Sequence, residues 1–93
     1  MARSKEKKRW FTVAYLTAEG VPHPAHRAGN FTRVYRTPGV LRADLVYSMT
    51  HELGHRGAAA AAVWAGELSE WEALRGPARP LYYVHQGGQV ERL

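Results

Sequence analysis

Three residues near the middle of the chain have the types and the spacing of a metal-dependent hydrolytic site. They lie in His51-Glu52-Leu53-Gly54-His55, an HExxH pattern. On a helix, two histidines four residues apart stand about one turn apart on one face, so both imidazoles can reach one Zn²⁺. The glutamate beside the first histidine can take a proton from a zinc-bound water, whose pKa falls toward about 7. The pattern therefore indicates a zinc-dependent hydrolase as one hypothesis.

The segment 48–56 resembles the active-site helix of the zincin metallopeptidases, which often carries HELGH after a hydroxyl residue. This resemblance implies that His51 and His55 are zinc ligands and that Glu52 is the general base. Alanine stands at both positions where a metzincin extension would require a glycine and a third histidine. The resemblance therefore implies two ligands and leaves the third to another part of the chain.

Three other histidines are candidates for that third ligand: His23 and His26 in a predicted loop, and His85 on a predicted late strand. The competing interpretation of the motif is an ordinary helix start. In it Thr50 caps the helix, and Glu52 in the first turn faces the positive end of the helix dipole. We favour this second interpretation, in which the protein is not an enzyme and has no cofactor.

Positive charge is concentrated at the N-terminus, where residues 1–9 carry four of the five net charges. Such an arm attaches to nucleic-acid phosphates with a salt-dependent affinity, or else serves as a solubilising terminus. We predict a flexible basic arm over 1–9 that can be deleted without loss of the fold, and a single domain over 10–93. The cations of the arm are Arg3, Lys5, Lys7, Lys8 and Arg9.

A second basic surface is predicted around a hairpin between the second and third strands. It consists of Arg33, Tyr35 and Arg36, with Arg27 and Arg42 nearby. Arginines interleaved with aromatic rings can stack on bases and hold phosphates, whereas in a solvated sheet face their stems only cover the rings. No base-reading pattern follows, so we expect little sequence preference.

These two surfaces favour a small basic interaction or regulatory protein that binds nucleic acid or a host protein. Its small size and lack of cysteine are typical of bacterial or bacteriophage accessory proteins. The 93 residues allow one domain, and the missing cysteines exclude disulfides, thiolate zinc ligands and thiol catalysis. The longest apolar run is too short to span a bilayer, so we expect a cytoplasmic protein without a membrane partner.

The hydrophobic pattern of the sequence predicts that the elements positioning these residues form an α+β fold of order β-β-β-α-β-β. It is a small, mainly antiparallel sheet with one long or broken helix across one face. The predicted segments are strands at 10–16, 31–36 and 40–49, a helix over 50–75, and a hairpin of strands at 81–85 and 90–93.

The predicted helix is held by an apolar stripe that should pack on the sheet. Its interior glycines cost about 1 kcal/mol each, and Ser69 with Glu72 fits a capping box. A break near Gly66 followed by a short second helix is therefore the alternative to one continuous helix. If the sheet cannot cover both tryptophans, an exposed one should drive homodimer formation or docking to a partner. The stripe consists of Leu53, Trp64, Leu68 and Trp71.

Overall fold

One antiparallel sheet and two helices make up the part of the chain that this computed structural model describes, residues 6–18, 31–51 and 58–93. The α+β class predicted from the sequence is confirmed. Within these ranges, neither helix has the length and apolar character needed to cross a bilayer. The elements in chain order are β1 (Arg9–Leu16), β2 (Phe31–Arg36), α1 (Pro38–His51), β3 (Ala60–Ala65), α2 (Glu70–Leu74), β4 (Tyr82–His85) and β5 (Val90–Arg92).

The strands lie in the order β2-β1-β3-β4-β5, and each neighbouring pair is antiparallel. Because β1 lies between β2 and β3 and is antiparallel to both, β2 and β3 run in the same direction. Two parallel strands need a long crossover connection, and α1 supplies it. The outer strands of this sheet are therefore β2 at one edge and β5 at the other.

One face of the sheet, which we call the α1 face, packs against α1 and holds the larger core cluster. Phe11 and Val13 of β1 are buried there with Leu41, Leu45 and Met49 of the helix. These three helix residues recur every four positions and form one apolar stripe. The other buried members of the cluster are Ala58, Ala61, Val63, Tyr82 and Val84.

The opposite face, which we call the α2 face, holds a smaller cluster around Trp64 of β3, which is only 3% exposed. The short helix α2 adds Ala73 to this cluster. Ser69 accepts a hydrogen bond from the Glu72 amide at 3.1 Å, and the Glu72 carboxylate accepts one from the Ser69 amide at 2.8 Å. This capping box and the short helix that follows it confirm the prediction for Ser69.

The predicted third strand over 40–49 is wrong, because these residues lie within α1. The three buried residues of this segment are four apart, a spacing that fits both an alternating strand and one turn of a helix. Ala43 and Tyr47, which only a strand would bury, are exposed. Pro38 does not form a hairpin turn; it occupies the first position of the helix, where its missing N–H costs nothing.

The predicted helix over 50–75 is also wrong, since β3 occupies 60–65 and α2 begins only at Glu70. Alanine favours a helix, but a strand covered on both faces is a continuous apolar run, and small side chains fit there. Trp64 is buried as expected, whereas Trp71 is 62% exposed. The two tryptophans therefore do not belong to one apolar stripe.

The C-terminal hairpin agrees with its prediction, since β4 and β5 pair across a turn at 86–89. Gly87 and Gly88 adopt φ angles of +95° and +93°, in the left-handed region that favours glycine. The Gly87 amide donates to the Met49 carbonyl at 3.2 Å, and the Thr50 hydroxyl donates to the Gly87 carbonyl at 3.3 Å. The turn is thus fixed to the last turn of α1.

Candidate nucleic-acid interface

Two exposed aromatic rings lie side by side where β1 begins and β2 ends. Trp10 and Tyr35 are partners in the antiparallel ladder, and their ring centroids are 5.3 Å apart with planes tilted by 43°. Trp10 is 43% exposed and Tyr35 is 47% exposed. Trp10 was not predicted from the sequence. Its place beside Tyr35 depends on the register of β1 with β2, which no local pattern shows. Exposed rings of this kind offer a surface on which bases can stack.

Arg33 lies next to this ring pair, on the same side of β2 as Tyr35. Its Nη1 donates a hydrogen bond to the carbonyl oxygen of Leu68 at 2.9 Å. Thr12 holds that loop in place, because its buried hydroxyl donates to the Gly66 carbonyl at 2.7 Å and accepts from the Leu68 amide at 2.9 Å. The guanidinium is therefore held beside the rings, and its remaining N–H donors are free to bind an anion.

Two arginines occupy directly opposite positions at the same corner of the sheet. Arg9 of β1 pairs with Arg36 of β2, and both are exposed. The Arg36 Nη1 donates only to the neighbouring Tyr35 carbonyl at 3.0 Å, and neither arginine forms an ion pair with a carboxylate in the described ranges. Like charges directly opposite each other destabilise a sheet. A bound anion would remove this cost.

The end of the basic arm is attached to this corner rather than free of it. Lys7 and Lys8 are exposed and lead directly into Arg9, which the structure places in β1 and not in the arm. Glu6 accepts a hydrogen bond from the Gly39 amide at 3.0 Å, at the start of α1. The remaining arm cations, Arg3 and Lys5, lie outside the described residues.

The second predicted surface contains the expected strand residues, but it is not built on the expected hairpin. Arg33, Tyr35 and Arg36 lie on β2 and pair with β1, because the third strand of the predicted hairpin does not exist. Arg42 lies in α1 on the α1 face and lines a different groove, and Arg27 lies outside the described residues. The structure places these residues at one corner of the sheet: Lys7, Lys8, Arg9, Trp10, Arg33, Tyr35 and Arg36. Because side chains alternate along a strand, Trp10, Arg33 and Tyr35 lie on the α2 face, whereas Arg9 and Arg36 lie on the α1 face.

The HExxH motif does not start a helix, because Thr50 and His51 already lie within α1. His51 is the last residue of α1, is exposed, and has its ring 4.5 Å from that of Tyr47. Glu52, His55, His23 and His26 all lie outside the described residues. Across the ranges that the structure does describe, no three His, Cys, Asp or Glu side chains are grouped so as to hold a metal ion.

His85, the remaining candidate ligand, does not share a site with His51. Its side chain lies on the α2 face, whereas α1 covers the other face. The His85 Nε2 lies 2.7 Å from the Glu91 Oε1, and both residues line a pocket of about 240 Å³. The Thr17 hydroxyl at this pocket is buried, with no hydrogen-bond partner in the described part of the chain. The His85–Glu91 pair could orient a polar ligand, but no nucleophile among the described residues lies within hydrogen-bond distance of His85 to complete a catalytic set.

Comparison of the chain with known protein families, with curated proteins and with solved structures found no match. The geometry of the described residues therefore carries the functional argument. Its most developed feature is the corner formed by β1, β2 and the end of the arm. There an exposed ring pair lies with Arg33 on one face of the sheet, and Arg9 and Arg36 lie on the other.

Proposed function

We propose that this protein binds single-stranded nucleic acid, with little sequence preference, at the corner where β1 begins and β2 ends. We call this corner the β2 corner. It comprises Lys7, Lys8, Arg9, Trp10, Arg33, Tyr35 and Arg36.

The ring pair is the observation that carries this proposal. Trp10 and Tyr35 are each nearly half exposed, and their rings lie next to each other, so they form one contiguous aromatic patch. Contiguous exposed apolar groups, unlike single ones, are typical of a binding surface. A base has an apolar face of the same size, and stacking does not depend on which base it is. A single strand can splay its bases onto such rings, whereas a duplex keeps them stacked inside.

The surrounding cations support phosphate as the second part of the ligand. Arg33 is fixed beside the rings on the α2 face. Arg9 and Arg36 face each other in the ladder on the α1 face of the same edge, without an acidic partner in the described ranges. A phosphate between the two facing arginines would turn their repulsion into attraction. Arginine is suited to this role because its planar group presents several donors at once.

The direct test is fluorescence anisotropy of a labelled single-stranded oligonucleotide with the full chain at about 50 mM salt. Trp10→Ala should weaken binding by about 5- to 150-fold, since stacking on one ring contributes about 1–3 kcal/mol. Trp71→Ala is the matched control, because Trp71 is also exposed but belongs to α2 and has no partner in the β1–β2 ladder. The control should bind within about twofold of the unchanged protein, and circular dichroism should show both variants folded.

Two results would overturn the proposal. One is the absence of binding to both DNA and RNA single strands at that salt concentration. The other is an equal loss of affinity in the Trp10 and Trp71 variants, because the rings at the β2 corner would then have no special part in binding.

A further inference from the structure

The outer edge of β5 presents unpaired backbone groups. The His85 amide donates to the Gln89 carbonyl at 2.7 Å, and the Leu93 amide donates to the Leu81 carbonyl at 3.3 Å. Backbone groups alternate in direction along an antiparallel strand, so those of Val90 and Arg92 point away from β4. No residue in the described ranges pairs with them. The sheet therefore ends in donors and acceptors spaced to receive another strand.

A groove of about 520 Å³ lies beside this edge, between α1 and β5. Its helix side extends from Gly39 to His51, about 18 Å along the axis at 1.5 Å per residue. An extended strand of five or six residues has about that length at roughly 3.3 Å per residue. Val46, Tyr47 and Val90 give the groove apolar walls. Its length and shape therefore suit an extended chain.

The charge in and around the groove is positive. Arg42 lines it, and Arg92 is the ladder partner of Tyr82. Burial raises the pKa of the Tyr82 hydroxyl, and the guanidinium groups of Arg42 and Arg92 oppose that rise, as expected if both lie near it. Neither arginine forms an ion pair in the described ranges. No Asp or Glu is among the described residues that line the groove, and the Glu6 carboxylate contacts its Gly39 end through the Gly39 amide.

We propose that this groove binds an extended acidic peptide segment of a partner protein, which adds to the sheet as a strand beside β5. Strand addition uses backbone hydrogen bonds for affinity and side-chain pockets for selection. The alternating N–H and C=O groups of Val90 and Arg92 match a peptide backbone and have no counterpart in a sugar-phosphate chain. The β5 edge is separate from the Trp10–Tyr35 ring pair, since β2 and β5 lie at opposite edges of the sheet and the rings lie on the face opposite α1. Only the Gly39 end of the groove comes near the arm, through Glu6.

The test uses a short labelled peptide in which glutamate and valine alternate, and a second peptide in which lysine replaces glutamate. With the full chain, the acidic peptide should bind and the basic peptide should not. Arg42→Gln should weaken acidic-peptide binding by about tenfold or more, as expected for loss of a charge-assisted hydrogen bond. Arg79→Gln is the matched control, because Arg79 is exposed and lies outside the groove.

A pair of variants at Val90 isolates the contribution of the backbone. Val90→Ala removes the side chain and keeps the outward N–H, whereas Val90→Pro removes both and leaves the bonds to β4 possible. The proline variant should bind the acidic peptide at least about fivefold more weakly than the alanine variant, a loss typical of one hydrogen bond. Should Val90→Pro fail to fold by circular dichroism, Arg42→Gln still decides the matter.

Four outcomes contradict the proposal. They are equal binding of the acidic and basic peptides, no binding of the acidic peptide, unchanged acidic-peptide affinity in Arg42→Gln, and a dimer of this chain by light scattering that Val90→Pro abolishes. Arg42→Gln should also leave the oligonucleotide affinity unchanged. A tenfold loss there would assign the groove to nucleic acid instead of a peptide.

Discussion

The two edges of this sheet expose different chemistry. At the β2 edge, Tyr35 and Arg36 of a six-residue strand lie opposite Trp10 and Arg9 of β1. At the β5 edge, the strand is only three residues long, and the adjoining groove offers unpaired backbone groups and apolar walls. Open edges invite pairing with other chains, and charged side chains or short strands reduce that risk.

The difference shows how an edge strand can be protected and used at once. The arginines at the β2 edge oppose strand addition, and under the proposed function they also contact phosphates, so this edge favours a ligand that is recognised by side chains. At the β5 edge, α1 supplies a wall but leaves the backbone accessible, so that edge favours a ligand that is itself a strand. Variants can therefore disable one edge at a time, or both through the shared core.

The largest expected effect comes from the core that both edges share. Trp64→Ala should lower the free energy of unfolding by about 3–5 kcal/mol, because it leaves a cavity under α2. Urea denaturation measures this loss, and both oligonucleotide and peptide binding should fall with the folded fraction. Trp71→Ala is the control and should cost far less, since Trp71 is 62% exposed. Equal losses in the two variants would contradict the assignment of Trp64 alone to the core.

A smaller effect that separates the edges is expected at the hairpin turn. Gly88→Ala places a methyl group against the Thr50 hydroxyl, whereas at Gly87 a methyl group meets no atom within 4 Å. Both changes strain a left-handed backbone by about 1–2 kcal/mol, and Gly88→Ala should cost at least about 1 kcal/mol more. Because it pushes the turn from α1, it should also weaken peptide binding. Thermal unfolding and both binding assays test this, and equal stability of the two variants would contradict it.

The smallest effect concerns the attachment of the arm to the β2 corner. Glu6→Ala removes the acceptor of the Gly39 amide and a negative charge at the start of α1, which should cost about 0.3–1 kcal/mol. Glu67→Ala, a change at another exposed glutamate, is the control. Because Glu6 makes this contact, deletion of residues 1–9 is now expected to lower the stability of the fold measurably instead of leaving it unchanged. Urea midpoints that do not differ between Glu6→Ala and Glu67→Ala would show that the contact contributes nothing.

Local patterns correctly predicted those elements whose hydrophobic periodicity fits only one type of secondary structure. β1, β2 and the β4–β5 hairpin followed from alternation and turn residues, and α2 followed from the capping box at Ser69. The strand prediction for 40–49 was wrong because a spacing of four residues fits both a strand and a helix. The sequence does not show which of the intervening residues are covered. Segment 60–65 failed because its alanines favour a helix locally, while its central position in the sheet is a property of the whole fold.

The residues of the candidate site likewise fall into those that the sequence predicted and those that it did not. The cations were found from composition, because charge is visible in any sequence. Trp10 was missed, since its importance depends on the register that places it against Tyr35. The Val90 and Arg92 edge was also missed, because unpaired backbone groups leave no signal in residue types. The zinc hypothesis rests on Glu52 and His55, which lie outside the described residues, and it stays a prediction.

The central claim is that the facing arginines at the β2 corner bind phosphates, and the salt dependence of oligonucleotide binding tests it most directly. The slope of log affinity against log salt should become shallower by about 0.7 in the Arg9→Gln/Arg36→Gln double variant, because the two arginines share one phosphate and each phosphate contact on a single strand contributes about 0.7. Arg79→Gln should leave the slope unchanged. If the double variant keeps the full slope, or if Arg79→Gln lowers it equally, the phosphates bind elsewhere and the assignment of this corner is contradicted.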